Sequence, residues 1–236
     1  MPEGPSIILM KESLLPFTGQ QVTEISGNAQ FEKDSFVGQI LLEIRTFGKQ
    51  VIRIHLLMFG SYSIDEQTKP DKSLRLALFF SSGSIYFYTC SVKSVDLEYL
   101  SYIDWEADIM SDSWNPEKAK EKLKANPTMM VCDALMNQDI FSGVGNIIKN
   151  EVLFRIGVQP ESPLGHLPPG KIKKLIEEAR NYSFDFLKWK REFVLKKHWL
   201  VHTRSTCPVC GQKLIKKQTG AGKRRSFFCE KDQKLY

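Results

Sequence analysis

The C-terminal stretch reads Cys207-Pro208-Val209-Cys210, then eighteen residues, then Cys229-Glu230-Lys231-Asp232. Cys-x-x-Cys presents two thiolates across one tight turn, and two such pairs at this separation form the tetrahedral four-ligand site of a zinc ribbon. Here the second pair ends on Asp232 in place of a cysteine. The segment is too polar to build an apolar core of its own, so a metal is its natural organiser. Cys207, Cys210, Cys229 and Asp232 are therefore the candidate ligands of a structural zinc, held less tightly than four thiolates would hold it. The alternative for Cys229 is a simple buried thiol.

The formal net charge is +6 and is unevenly spread. Residues 203–236 carry nine Lys or Arg and two acidic side chains, while the other 202 residues carry 24 and 25. A basic hairpin folded around a metal points to a polyanion, most simply nucleic acid. Arg224-Arg225-Ser226-Phe227-Phe228 lies between the two halves of the metal site. Two guanidiniums on a hairpin tip suit a phosphate or a groove, although a solvated basic loop reads the same way.

At 42% hydrophobic the chain has the make-up of an ordinary folded protein. No apolar run reaches the roughly 18–20 residues that span a bilayer, so no membrane partner is expected. Met-Pro-Glu-Gly-Pro lacks the basic and apolar regions of a signal peptide. These features predict an intracellular, cytoplasmic protein, nucleoid-associated in a bacterium, in which the five cysteines serve as metal ligands or free thiols.

Apolar spacing predicts a helix over residues 5–15, ending near Pro16. Strand-like runs follow: QQVTEI, QILLEIRTF, QVIRIHLL, SLRLALFF and SIYFYTC, the last two joined through a Ser-Ser-Gly-Ser hairpin signal. Beyond Trp114 the pattern turns helical. Asn115-Pro116 caps one helix, VCDALMNQ forms a second, Asn146 to Ile156 a third with Gly157 as its stop, and a fourth runs from Pro168-Pro169 to about Lys197. The fold class expected is α+β: an N-terminal helix with a β-sandwich (1–108), a helical domain (115–200) and a metal hairpin (203–236).

Two further segments carry chemistry. Removal of Met1 would expose Pro2 as a secondary amine that is partly neutral at physiological pH and nucleophilic toward an aldehyde-like carbon. Glu3 beside it can shuttle protons. An unremarkable solvated terminus is the alternative. In Gln138-Asp139-Ile140-Phe141-Ser142-Gly143-Val144-Gly145-Asn146, two glycines precede a helix start. Backbone N–H groups there and the Asn146 amide make a phosphate-binding design, or else an ordinary turn capped by Asn146.

PEGP, FSGVGNIIKNEVLF and RRSFFCEKDQ, in this order, resemble the formamidopyrimidine-DNA glycosylase and endonuclease VIII family of base-excision repair enzymes, and PEGP looks like its endonuclease VIII branch. The resemblance implies a helix plus β-sandwich domain, a helix–two-turn–helix domain and a zinc-finger hairpin. It implies a monomer acting on damaged DNA as a glycosylase with abasic-site lyase activity, removing oxidised bases, chiefly pyrimidines, and nicking by β/δ-elimination. It makes Pro2 the nucleophile, Glu3 the proton-transfer carboxylate and Lys49, in Phe47-Gly48-Lys49, a supporting catalytic lysine. Gln138, Asn146, Arg224 and Arg225 become DNA contacts. Met58 and Phe59 become wedges filling the gap left by an extruded base, with core packing as the alternative.

The chain departs from the family pattern at Asp232, at Ser6 (where a second glutamate is usual), and in the short run from Lys49 to His55. If Met1 is retained, the Pro2 nitrogen is an amide and cannot attack. These departures leave open a relative that binds damaged DNA without cutting it, and the finger alone leaves open a zinc ribbon for RNA or protein.

Overall fold

The computed structural model describes residues 3–44, 51–95 and 104–236. The chain divides into two compact units. One comprises Ile7–Ile103, and the other joins Glu3–Ser6 to Asp104–Tyr236, so residues 203–236 belong to the second unit.

The first unit holds most of helix α1 (Gly4–Leu14) and six strands: β1 (Glu24–Ser26), β2 (Val51–His55), β3 (Ser61–Ile64), β4 (Leu74–Phe80), β5 (Gly83–Tyr88) and β6 (Ser91–Val95). A four-stranded antiparallel sheet runs in the order β1-β4-β5-β3, and β2 pairs with β6 in a second sheet. One apolar cluster draws on both sheets and the helix: Leu76, Leu78 and Phe80 from β4, Ile85 and Phe87 from β5, Val92 from β6, and Leu14 from α1. This is the expected two-layer β body. The Ser-Ser-Gly-Ser signal marks the β4–β5 hairpin, with Phe80 opposite Gly83.

Strict alternation along β4 would put Leu74 on the face of Leu76. A register shift between them turns Leu74 to the opposite face, where it packs with Ala77, Tyr86 and Tyr88. Two strand expectations shorten. QQVTEI gives the start of β1 (Glu24–Ser26) and a bridge from Gln21 to Ile40, and QILLEIRTF forms no named strand among the described residues, only that bridge and the backbone bonds at Gln39 and Leu41 that flank it. β3 and β6, short and rich in serine, were not among the expected strands.

The second unit contains α2 (Pro116–Lys124), α3 (Val131–Met136), α4 (Asn146–Arg155), α5 (Pro169–Arg191) and the hairpin of β7 (Ile215–Thr219) and β8 (Arg224–Phe228). Asn115 caps α2, its side chain accepting from Lys118 N–H at 3.1 Å. α4 is central: every residue from Ile148 to Phe154 is buried, including Lys149, Asn150 and Glu151. Glu151 stays buried because its carboxylate accepts N–H bonds from Leu200, Val201 and His202 and pairs with Arg155 at 2.6 Å. α5 stops at Arg191 rather than Lys197. Phe193 takes a left-handed φ of 58° there, and Val194 N–H donates back to the Trp189 carbonyl at 2.9 Å. Among the described residues no helix is long and apolar enough to cross a membrane.

Candidate functional site

The first turn of α4 gathers the site. Glu3 is buried, and its carboxylate accepts N–H bonds from Ile147 at 2.7 Å and Ile148 at 3.2 Å. These are orphan donors of a helix N-terminus, where negative charge is stabilised. Gly4 N–H donates to the Gly143 carbonyl at 2.7 Å, and Gly143 turns the chain at φ +90°. Burial pushes the Glu3 carboxyl up to about 7, while the two N–H bonds and the Lys190 ammonium pull the other way. Lys190 itself donates to Ser6 Oγ at 2.9 Å. A carboxyl poised near 7 can both give and take a proton at physiological pH.

The loop before α4 is self-bonded. The Gln138 amide donates to the carbonyls of Met136 and Val144, both at 3.1 Å, and accepts from Gly143 N–H at 3.0 Å. Gln138 therefore shapes the two-glycine turn. Asn146 Nδ2 donates to the Arg225 carbonyl at 3.1 Å, while its Oδ1 is buried and unpartnered. One turn of helix thus meets both the Glu3 segment and the arginine hairpin. Arg224 and Arg225 open β8 with exposed side chains.

Cys207, Cys210, Cys229 and Asp232 converge, their ligand atoms all within 4.8 Å of one another. Asp232 Oδ2 lies 3.0 Å from Cys207 Sγ and 3.2 Å from Cys229 Sγ, and Cys210 Sγ is 3.5 Å from Cys229 Sγ. Zinc–sulfur bonds of about 2.3 Å to a tetrahedral ion need donors spaced near these distances, so the cluster can hold a metal. Phe154, Val201, Leu214 and Phe227 pack around the two buried thiols, Cys207 and Cys229.

Met58 and Phe59 belong to the first unit. They sit in the tight turn after β2, with Gly60 N–H donating to the Leu56 carbonyl at 2.7 Å, and are 44% and 75% exposed. They are surface side chains, not core. Leu57 beside them is 49% exposed at φ 53°, a residue the sequence did not single out. Pro2 and Lys49 lie outside the described residues. The sequence reading also missed Asp133, Lys149 and Asn150, all of which contact the hairpin. For Lys149 and Asn150, polar residues at helical spacing inside the apolar run NIIKNEVLF were the available signal; Asp133 had none.

Comparison with known proteins gives this geometry a context. Residues 106–182 match the formamidopyrimidine-DNA glycosylase H2TH domain. Endonuclease 8-like 3 of Xenopus laevis is 32% identical over 200 residues, covering 80% of this chain and 32% of that protein. Endonuclease 8-like 2 of Bos taurus is 29% identical over 181 residues, covering 72% of this chain and 53% of the relative. The chain thus spans about a third to a half of the length of these relatives. The crystal structure of Lactococcus lactis formamidopyrimidine-DNA glycosylase, bound non-covalently to DNA containing an abasic site, superposes with a TM-score of 0.83 at 22% identity, over 98% of this chain and 99% of that one. That likeness shows the fold. With the matched H2TH domain, the endonuclease 8-like relatives and the shared fold, the chain belongs to the formamidopyrimidine-DNA glycosylase and endonuclease VIII family.

Proposed function

We propose that this chain is a base-excision repair enzyme acting inside the cell on damaged DNA. It would remove oxidised bases, chiefly pyrimidines, and cut the strand at the resulting abasic site. The observation that carries the reading is the buried Glu3 carboxylate, seated on the α4 N-terminus and poised near pH 7, one residue from Pro2.

The chemistry follows from those two residues. The neutral Pro2 nitrogen attacks the deoxyribose C1′, and the bond from C1′ to the base breaks as the base leaves with a proton. Glu3 in its acid form gives a proton to the ring oxygen, the sugar opens, and an iminium ion joins C1′ to the Pro2 nitrogen, which has already given up its own proton to the departing base. That iminium acidifies the C2′ proton. Its loss expels the 3′ phosphate, the β-elimination, and a second elimination releases the 5′ phosphate. Water hydrolyses the iminium and restores the amine. Lys49 would support this centre beside the phosphate backbone. Asn146, Arg224 and Arg225 would grip phosphates, and Met58 and Phe59 would fill the stack after extrusion of the nucleotide. A zinc ion on Cys207, Cys210, Cys229 and Asp232 would stiffen the base of the hairpin and supply no reacting group.

The test is a panel of duplexes carrying an oxidised pyrimidine, an oxidised purine, an abasic site or no lesion. Excision and nicking of the oxidised-pyrimidine and abasic duplexes are expected. Tight binding of the damaged duplexes without any strand cleavage, in protein shown to have lost Met1, would replace the enzyme with a damage-binding relative.

A further inference from the structure

Helix α4 carries Asn146, Lys149 and Asn150 at i, i+3 and i+4, on one face. The side-chain nitrogens of all three donate to a single acceptor, the Arg225 carbonyl, at 3.1, 3.3 and 3.4 Å. Lys149 Nζ also donates to Ser226 Oγ at 2.8 Å, and Asn150 Oδ1 accepts from Phe227 N–H at 3.2 Å. Lys149 is completely buried. An ammonium withdrawn from water is costly unless its donors find acceptors, and two bonds to β8 supply them here. Three consecutive residues of the hairpin are thereby fixed to one helix face.

The turn of the hairpin is held separately. The Asp133 carboxylate, on α3, accepts from Ala221 N–H at 2.8 Å and Gly222 N–H at 3.2 Å. The fit is close: a Cβ on Gly220 would lie 2.4 Å from that carboxylate. A carboxylate beside a phosphate-gripping tip would repel DNA if it were free. Here its charge is engaged by the backbone of the turn.

The candidate metal ligands lie at the opposite end of the hairpin. Cys207 and Cys210 precede β7 and Cys229 follows β8, whereas Arg224 and Arg225 begin β8 next to the turn. Between the two ends run the ladder pairs from Ile215↔Phe228 to Thr219↔Arg224. The arginine end thus has its own attachments to α3 and α4.

We infer that Asp133, Lys149 and Asn150 are the positioning residues that set Arg224 and Arg225, and that the metal cluster does not set them. Their use as phosphate grips rests on the function proposed above. The metal instead orders the loops that carry its ligands.

Hydrogen exchange read by mass spectrometry tests this on the full chain, zinc-loaded and after chelation, alongside Asp133→Asn, Lys149→Met and Asn150→Ala. Chelation should expose amides of residues 205–214 and 229–234 and leave residues 224–228 protected. The variants should lose protection at 224–228 while keeping their metal content. In parallel, duplex binding is measured against salt concentration. Each lost phosphate contact lowers the slope of log K against log salt by about one, so the variants should lose slope and the chelated protein should keep it. Loss of protection at 224–228 on chelation as complete as in the variants overturns the inference. So do variants that retain both protection and slope. Asp133→Asn sits on a half-buried surface contact and keeps the test alive if Lys149→Met fails to fold. If the wild type binds no DNA, the functional reading fails while the exchange result still decides this one.

Discussion

A β-carbon on Gly145 would lie 2.3 Å from Cγ and 2.4 Å from Cδ of Glu3. No real side chain approaches so closely, so the second glycine of the loop is the space into which the carboxylate folds. Gly145 has φ −122°, a conformation open to any residue, so the restriction is steric and not conformational. Gly145→Ala should therefore displace Glu3 from the α4 N-terminus. The expected cost is about 1–3 kcal/mol of stability, typical of overpacking. Base excision should fall while duplex affinity stays near wild type. Chemical denaturation and single-turnover excision measured on the same preparation check both.

The Glu3 carboxyl is raised by burial from 4.5 to about 7 in the folded chain. The folded state therefore holds a proton that the unfolded state releases at lower pH. The stability associated with this proton is complete below pH about 4.5 and is lost as pH rises to about 7, by a total on the order of 3 kcal/mol. Denaturation midpoints across pH 4–8 should show this decline, and Glu3→Gln should flatten it.

Asp232 supplies the oxygen of a three-sulfur, one-oxygen donor set. A carboxylate holds zinc less firmly than a thiolate does in such a set. Zinc content after dialysis is expected to fall below one per chain, and Asp232→Cys should retain the ion longer against a chelator. Full occupancy of the wild type under the same chelator, unchanged by the substitution, would refute the weaker hold.

Phe193 stands 96% exposed in a left-handed conformation, at the position after the α5 cap where glycine is usual. Nothing buried is lost on removing its ring. Phe193→Gly should stabilise the chain by roughly 0.5–1 kcal/mol, the left-handed penalty less the extra freedom of glycine when unfolded. Thermal melts would show a small upward shift, and an equal or larger fall would show that the ring makes a contact of its own.

Helices α4 and α5 explain how far the sequence could be read. Both end in the same paired hydrogen-bond motif, with Val158 N–H reaching the Leu153 carbonyl and Val194 N–H reaching that of Trp189. The first stop was legible because its left-handed residue is Gly157. The second was not, because its left-handed residue is a phenylalanine that the apolar pattern carries through. The metal cluster was legible because ligand spacing is a local property. For Lys149 and Asn150 the polar spacing in NIIKNEVLF was a signal that something must satisfy them, but their hairpin partners, like those of Asp133, lie 75 or more residues away, and no local pattern names a distant backbone as the partner. Glu3 was singled out by its neighbour Pro2, but its seat on α4 depends on a contact across 144 residues.

The central claim is that Pro2 attacks and Glu3 moves the protons. Borohydride trapping on a duplex with one abasic site tests it most directly, once mass spectrometry has established that Met1 is absent. A covalent protein–DNA adduct is predicted for the wild type. It should disappear in Pro2→Gly and be strongly reduced in Glu3→Gln, and peptide mapping should place it on Pro2. Wild-type protein lacking Met1 that forms no adduct, or an adduct of undiminished yield in Pro2→Gly, would contradict the account.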